Sequence, residues 1–205
     1  MNRRLFIRNA AAFAFSFPLA ASLTNISSAQ AAGEVTENDR ILGDTNAPIT
    51  IIEYASLTCP HCADFHTGTL PEVKKNWIDT GKARLVYRHM PLDGVALRGA
   101  AVAECLEGDR YFSFLGLLFQ QQQTWAFGGA AKEGLQKMAL LAGMNNERFE
   151  ECFNDEATLR RIVTQAQEGK TSFGISSTPS FVINGEVFAG GRDYDAMNDI
   201  LEDAL

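Results

Sequence analysis

The stretch that decides the fold is YASLTCPHCADFH, Tyr54–His66, which holds two of the four cysteines of this 205-residue chain. Only Pro60 and His61 separate Cys59 from Cys62. Two cysteines at this spacing act as metal ligands, as a small structural bridge, or as a disulfide that exchanges with other thiols. The rest of the chain decides between these three roles.

The cysteine pair lies between a predicted strand and a predicted helix. PITIIEYASL (Pro48–Leu57) is rich in β-branched and aromatic residues and predicts a buried strand. A helical pattern runs from about Cys62 to Asp79, and ARLVYRHMPL (Ala83–Leu92) predicts a second strand. From Val95 to about Gly169 apolar residues recur at three- and four-residue spacing, which predicts several helices. Within this region QQQQ (Gln120–Gln123) predicts a solvated helix end.

The last part of the chain predicts a hairpin and a final helix. Ser176–Gly191 has apolar runs on either side of Asn184-Gly185, a pair suited to a type I′ turn. A helix follows, with Asp193 as its expected N-cap. The predicted order is therefore strand, cysteine pair, helix, strand, several helices, hairpin and helix.

Metal binding and a permanent bridge both explain the cysteine pair poorly. The candidate metal ligands are Cys59, Cys62 and His66, with His61 nearby. A structural zinc site usually takes four ligands, and a second CxxC or CxxH motif is missing. Cys105 and Cys152 lie 47 residues apart within predicted helices and do not supply one. A permanent bridge across so small a loop restricts the unfolded chain very little. Redox exchange is the remaining role.

The position of the pair at the start of a helix favours redox chemistry. The unpaired N–H groups and the positive end of the helix dipole stabilise a thiolate at Cys59. His61 adds a cation or a hydrogen-bond donor, and Pro60 removes a competing N–H and stiffens the turn. We expect Cys59 to be the exposed nucleophile that forms a mixed disulfide with a substrate thiolate, and Cys62 to be the buried resolving cysteine.

Two segments carry a family resemblance. IIEYASLTCPHCADF (Ile51–Phe65) and STPSFVING (Ser177–Gly185) resemble the DsbA-like thiol:disulfide oxidoreductases of the thioredoxin superfamily. The resemblance implies an α/β thioredoxin fold, made of βαβ and ββα halves, with an inserted α-helical domain. Its expected segments are a signal peptide (1–31), the first thioredoxin half with CPHC (32–94), the helical insertion (95–172) and the second half with the cis-proline loop (173–205).

The resemblance also implies roles for residues outside the CPHC motif. Glu53, six residues before the first cysteine, matches a buried acid that assists proton transfer; the alternative is a lone carboxylate at a strand edge. Pro179 matches the cis-proline that lies against the active-site disulfide. Thr178 departs from the best-known DsbA enzymes, which have an aliphatic residue there, and threonine also occurs in related isomerases. His66 and His89 carry no signal that gives them a catalytic role.

The N-terminus predicts export. A basic start with Arg3 and Arg4, an apolar run broken by Pro18 and the small residues Ala29 and Ala31 follow the order of a secretory signal peptide. We expect cleavage near Ala31 and a periplasmic location. The paired arginines also resemble a twin-arginine signal, and the sequence leaves the two export routes open. An uncleaved anchor or an amphipathic first helix is the alternative.

Charge and location indicate the partners. The chain has a net charge of −7, and removal of three signal-peptide arginines changes it to −10. An acidic chain without a basic tract repels phosphate, so we expect no nucleic-acid partner. The expected substrates are unfolded or newly exported proteins that contain cysteine. The resemblance implies reoxidation by a quinone-linked membrane oxidase of the DsbB type. We expect a monomer that needs no cofactor or metal.

The remaining cysteines, Cys105 and Cys152, favour a structural disulfide, because leftover cysteines in exported proteins more often bridge. Closing a loop of this length is worth roughly 4 kcal/mol in the chain-entropy model. The alternative is two buried free thiols. For the whole chain we expect an exported dithiol oxidase that donates the Cys59–Cys62 disulfide. A reductase or isomerase of the same fold, and a non-catalytic binding or metal-carrying domain, are the rival functions.

Overall fold

The computed structural model describes residues 34–205, so the predicted signal peptide and its cleavage near Ala31 lie outside the described residues. The described chain is built on a five-stranded mixed sheet with the strand order β1-β3-β2-β4-β5. The strands are β1 (Arg40–Leu42), β2 (Ile49–Ala55), β3 (Ala83–His89), β4 (Ser180–Ile183) and β5 (Glu186–Ala189). The central pair β2 and β3 is parallel, and every other neighbouring pair is antiparallel.

Helices cover both faces of the sheet and one end of it. They are α1 (Pro60–Asp64), a π-helical turn (Phe65–Thr69), α2 (Leu70–Val73), a second π-helical turn (Lys74–Ile78), α3 (Gly94–Glu104), α4 (Asp109–Gln120), α5 (Gln122–Trp125), α6 (Ala131–Leu141), α7 (Asn146–Phe153), α8 (Glu156–Phe173) and α9 (Tyr194–Asp203). Helices α3–α8 lie between β3 and β4 in the chain. None of the helices in residues 34–205 is long and apolar enough to span a membrane.

The predicted thioredoxin fold is confirmed in its two halves. The β2–helix–β3 unit forms the βαβ half, and β4, β5 and α9 form the ββα half. The hairpin turn has positive φ at both Asn184 (51°) and Gly185 (85°), as a type I′ turn requires. The N-cap prediction is confirmed as well, because the Asp193 carboxylate accepts a hydrogen bond of 2.9 Å from the Ala196 N–H.

Two predicted features differ from the structure. No strand is predicted before β2, but Arg40–Leu42 forms the edge strand β1; three residues are too few to produce a recognisable pattern. The first helix was expected from about Cys62, yet it begins at Pro60 with Cys59 as its N-cap. Proline suits the first helical position because its missing N–H would have no partner there anyway.

Helix α8 packs closely against one face of the sheet. A Cβ atom at Gly169 would lie 2.5 Å from the ring of Tyr54 in β2, so only glycine fits this contact. On the opposite face the two π-helical turns, α2 and α9 pack on the sheet around Phe65 and Phe181, whose ring centroids are 4.7 Å apart. The central strands are therefore covered on both sides, and polar groups on them are withdrawn from water.

The helices between β3 and β4 form their own apolar core around Trp125 and Phe149. The structure joins Cys105, at the end of α3, to Cys152 in α7 by a disulfide with a Cα–Cα distance of 6.1 Å. This core is continuous with the CPHC segment, because Cys59 belongs to the same buried cluster.

Candidate active site

Strand pairing brings the two segments of the site together. Strand β2 pairs with β4, so Tyr54 faces Ser180 and the segments beyond these residues meet. The peptide bond between Thr178 and Pro179 is cis. In its protonated form the Cys59 thiol donates a hydrogen bond of 3.2 Å to the carbonyl oxygen of Thr178. Cysteine and cis-proline loop, 119 residues apart in the chain, are thus in direct contact.

The two cysteines of CPHC are free thiols with opposite acidities. A hydrogen bond from the Cys62 thiol lowers the pKa of Cys59 to about 5, and the N–H groups of Cys62 and His61 add to this effect against the opposing effect of burial. Burial raises the pKa of Cys62, and its interactions with Cys59 and Glu53 raise it further. At neutral pH the pair therefore carries one thiolate, at Cys59, and one proton, at Cys62.

Cys59 is less exposed than we expected from the sequence. Only 5% of Cys59 is accessible, against 0% for Cys62. The expectation of an exposed nucleophile is therefore wrong, although Cys59 is the more accessible of the two cysteines. The carbonyl of Thr178 covers the sulfur from the cis-proline side. The Thr178 hydroxyl itself is buried and has no hydrogen-bond partner among residues 34–205.

Pro60 and His61 contribute mainly through the backbone. Pro60 occupies the first helical position, directly after the N-cap Cys59. The His61 side chain is 77% exposed, and its Nδ1 lies 3.7 Å from the carboxylate of Asp64. The His61 N–H, in contrast, is one of the donors that favour the Cys59 thiolate. The hydrogen-bond donor that His61 offers to Cys59 is therefore its main-chain N–H and not its imidazole ring.

Glu53 is fully buried in the central strand β2, not at a strand edge. Both of its carboxylate oxygens lie 3.0 Å from Nε2 of His66. The His66 ring stacks on Phe119 with a centroid distance of 4.1 Å and meets Tyr87 edge to face. The Tyr87 hydroxyl is buried without a hydrogen-bond partner in the described part of the chain.

Sequence reasoning missed two residues of the site. His66 stands four residues after Cys62, so the two share a helix face, and this spacing was the signal that could have found it. Gln122 was expected in a solvated helix end, which is wrong: its side chain is buried and donates hydrogen bonds to the carbonyls of Leu57 (2.9 Å) and Cys59 (3.0 Å). Gln122 thereby holds the loop that leads from β2 into the active-site helix.

Within residues 34–205 no group of three or more His, Cys, Asp or Glu side chains is arranged to hold a metal ion. The four groups that meet at the site are the Cys59 sulfur, the Cys62 sulfur, the Glu53 carboxyl and the His66 ring.

Comparison with known proteins agrees with this geometry. A thioredoxin family model matches residues 35–203. The crystal structure of alpha-DsbA1 from Wolbachia pipientis superposes with a TM-score of 0.81; it is 31% identical, and the match covers 87% of this chain and 96% of that chain. The chain belongs to the DsbA-like thiol:disulfide oxidoreductases of the thioredoxin family.

Curated relatives of this DsbA-like protein carry names of the same kind. A Rickettsia felis protein, whose name suggests a protein-disulfide oxidoreductase, is 32% identical over 174 residues, which is 84% of this chain. The chain spans 62% of the length of that rickettsial protein. Disulfide bond formation protein D of Bacillus subtilis is 25% identical over 173 residues, covering 80% of this chain and 76% of the relative.

Proposed function

We propose that this DsbA-like chain is a dithiol oxidase that donates the Cys59–Cys62 disulfide to substrate proteins. A substrate thiolate attacks the Cys59 sulfur, the Cys59–Cys62 bond breaks, and Cys62 takes up a proton. A second substrate thiolate then attacks the substrate sulfur of the mixed disulfide and releases Cys59 as a thiolate. The substrate dithiol is oxidised to a disulfide, the enzyme pair is reduced, and one proton goes to solvent.

The stabilised Cys59 thiolate is the observation that carries this proposal. A thiolate with a pKa of about 5 is a good leaving group in the mixed disulfide. It also stabilises the reduced enzyme, and a stable reduced form makes the disulfide oxidising. The cis-proline loop supports the same role, because Thr178 and Pro179 cover the side of Cys59 on which a substrate strand would lie.

The remaining roles follow from position. We assign Glu53 the transfer of the Cys62 proton, because it is the buried acid beside that sulfur. The Cys105–Cys152 bridge serves the structure of the helical insertion, since it joins α3 to α7 at a distance from the CPHC motif in the chain. Residues 32–94 and 173–205 form the two catalytic halves, and residues 95–172 form the insertion between them.

The proposed place of work is the bacterial periplasm. The basic and apolar N-terminal segment supports export with cleavage near Ala31. Substrates are then unfolded or newly exported proteins that contain cysteine, and the partner that restores the disulfide is a quinone-linked membrane oxidase of the DsbB type. The enzyme works as a monomer.

The redox potential of the Cys59–Cys62 pair tests the proposal. It is measured by equilibration with glutathione buffers in a Cys105→Ala/Cys152→Ala background, which removes the second pair from the thiol count. We expect a value near −120 mV, which is known for DsbA itself. A value near −270 mV, that of thioredoxin, would contradict an oxidase and favour the reductase or isomerase function.

A matched control is the same background with Cys59→Ser added. This variant keeps the fold but forms no Cys59–Cys62 bond, so its signal must not change with the glutathione ratio. Stoichiometric zinc binding by the reduced protein, without any thiol exchange, would instead support the non-catalytic metal-carrying domain.

A further inference from the structure

The buried pair of Glu53 and His66 has a feature that thiol exchange by Cys59 and Cys62 alone does not explain. Glu53 is 0% exposed, and the His66 side chain is 3% exposed, with 3.0 Å between Nε2 and each carboxylate oxygen. A charged or proton-bearing pair is costly to bury, and it persists where it has a structural or chemical role. The pair lies between a buried thiol and a cavity.

The inner end of the pair faces Cys62. This sulfur is fully buried, and the Glu53 carboxylate is close enough to influence its acidity directly. A proton that leaves or reaches Cys62 therefore has no direct contact with water. The charge of Glu53 is among the main causes that raise the pKa of Cys62.

The outer end of the pair reaches a cavity of about 620 Å³ between the first helical run and α4. His66 lines this cavity together with apolar side chains such as Leu70 and Phe112 and polar ones such as Ser113. His66 contacts Glu53 through Nε2, and a neutral or protonated imidazole has a second nitrogen that exchanges protons independently. The ring thus connects the carboxylate to a space that is open to solvent.

We propose that His66 is the outer member of a proton path, in which Glu53 exchanges a proton with the Cys62 sulfur and His66 exchanges it between Glu53 and the cavity. This proposal rests on the Cys59–Cys62 exchange proposed above. His66 acts through Glu53 and does not touch the reacting sulfurs, so it is a positioning and relay residue.

The path is used in both directions of exchange. When a substrate thiolate opens the Cys59–Cys62 disulfide, Cys62 leaves as a thiolate and receives a proton from Glu53, which His66 replaces from the cavity. When the disulfide re-forms from a mixed disulfide on Cys59, the Cys62 S–H gives its proton to Glu53 and attacks the Cys59 sulfur. The bond between the Cys59 sulfur and its partner in the mixed disulfide breaks, and that partner leaves as a thiolate.

Other titratable groups around His66 do not replace it in the path. From the sheet side it faces Glu53 and Tyr87, and the Tyr87 hydroxyl has a pKa well above its usual range because it is buried. Across the cavity lie Lys74, Asp79 and Asp109. Lys74 and Asp79 are about half exposed and form an ion pair with each other. None of these groups is hydrogen-bonded to Glu53 in the described structure.

Closure of the disulfide from a glutathione adduct tests the path. Reduced enzyme in the Cys105→Ala/Cys152→Ala background is mixed with oxidised glutathione, quenched with acid and analysed by mass spectrometry between pH 4.5 and 8.5. The first step, attack by Cys59, does not involve the Cys62 proton, whereas closure does. In His66→Gln we expect closure to slow about tenfold or more near pH 7, while the first step stays within about twofold.

Two further readouts separate a relay from a structural role. The wild-type rate–pH profile of closure should contain an inflection that His66→Gln lacks. In His66→Ala, which enlarges the existing cavity by the volume of the ring, added imidazole should restore closure in proportion to its concentration. His89→Gln is the matched control, because the His89 side chain is 3% exposed like that of His66 and also contacts Tyr87 but does not line this cavity. Its profile should keep the inflection.

The outcomes are distinguishable. A His66→Gln variant that closes with the wild-type rate and pH profile would overturn the relay and leave the exchange function intact. Slower closure with an unchanged profile and no response to imidazole would also overturn it. If no glutathione adduct forms on Cys59, both proposals fail. Should the variants not fold, a wild-type closure rate that is the same in H₂O and D₂O would overturn the relay.

Discussion

Two buried Glu–His pairs lie on either side of Tyr87, and they differ in what surrounds them. Glu53–His66 stands beside the active-site thiol, and Glu104–His89 stands beside the disulfide of the helical insertion. Both histidines meet the Tyr87 ring edge to face, at centroid distances of 5.6 and 4.9 Å. The same two residue types are thus used twice in one apolar region.

The Glu104 carboxylate is surrounded by positive groups. Arg161 approaches it to 2.8 Å and Arg40 to 3.2 Å, and His89 lies 3.5 Å away. Although burial opposes ionisation, the hydrogen bond and charge of His89 and the charges of the two arginines lower the pKa of Glu104 to about 2. Such a group stays ionised throughout the physiological range and joins β1, β3, α3 and α8.

The Glu53 carboxyl, in contrast, is hydrogen-bonded to His66, and no arginine of residues 34–205 forms a hydrogen bond or an ion pair with it. Its other neighbour is the Cys62 sulfur, which itself gains and loses a proton during exchange. The comparison shows how a second layer of arginines turns a Glu–His pair into a fixed ion-pair network. The Glu53–His66 pair lacks that layer in residues 34–205, as the proton transfer proposed above requires.

The largest expected effect is on stability and separates the two pairs. Glu104→Gln leaves Arg40 and Arg161 without this counter-charge, and we expect it to lower the free energy of unfolding by about 3 kcal/mol. This is the lower end of the cost of breaking a buried ion pair, because both arginine side chains are about one-third exposed. Glu53→Gln keeps a hydrogen bond to His66 and should cost about 1 kcal/mol or less. Urea unfolding of both variants measures the difference.

Equal losses in the two variants would contradict the comparison. Acid provides a second check on Glu104. Its pKa in the folded protein lies below its ordinary value of 4.5, so the stability it contributes is complete above about pH 4.5 and disappears as the pH falls towards 2. Glu104→Gln should therefore flatten the acid limb of the stability curve.

A second prediction concerns a different pH window, which belongs to the active site. The Cys59 thiol titrates near pH 5 in the folded reduced protein and near 9 when unfolded. Between these values the unfolded state binds the additional proton, so the reduced protein should gain stability as the pH rises from 5 to 9. The oxidised protein has no such group. We therefore expect the Tm of the reduced protein to rise relative to the Tm of the oxidised protein as the pH increases over this window.

Cys59→Ser is the control for that experiment, because it keeps the fold but removes the titrating thiol. Its melting temperature should follow that of the oxidised protein in pH dependence. A reduced wild-type protein that also shows no pH dependence between 5 and 9 would mean that the Cys59 thiolate is not stabilised.

The smallest expected effect is at Thr178. Its side chain lowers the pKa of Cys59, because a hydroxyl without another partner is available to the thiolate. Thr178→Val removes that hydroxyl and leaves the backbone carbonyl in place, so we expect the pKa of Cys59 to rise by less than about one unit, in line with the loss of one weak hydrogen bond. Thiolate absorbance at 240 nm measures it. Thr178→Ser should retain the wild-type value.

Much of the site could be predicted because its signals are local. A β-branched run followed directly by CPHC places Cys59 at the start of a helix, and Asn184-Gly185 between two apolar runs fixes the last hairpin. The resemblance then supplied the contact between Cys59 and the Thr178–Pro179 loop. The spacing of Cys62 and His66 was also visible in the sequence, but a histidine on a helix face is often an ordinary surface or core residue without a catalytic role.

The sequence by itself determined the order of the elements from β2 onwards, the position of the thiols and the turn that returns the chain to the sheet, since each depends on neighbours within a few residues. Only the tertiary structure decided that His66 meets Glu53, 13 residues away, and that Gln122 holds the carbonyl of Cys59, 63 residues away. Hydrophobic periodicity specifies which face of an element is buried. It does not specify the polar partner that a buried group meets there, because that partner is chosen by the packing of whole elements.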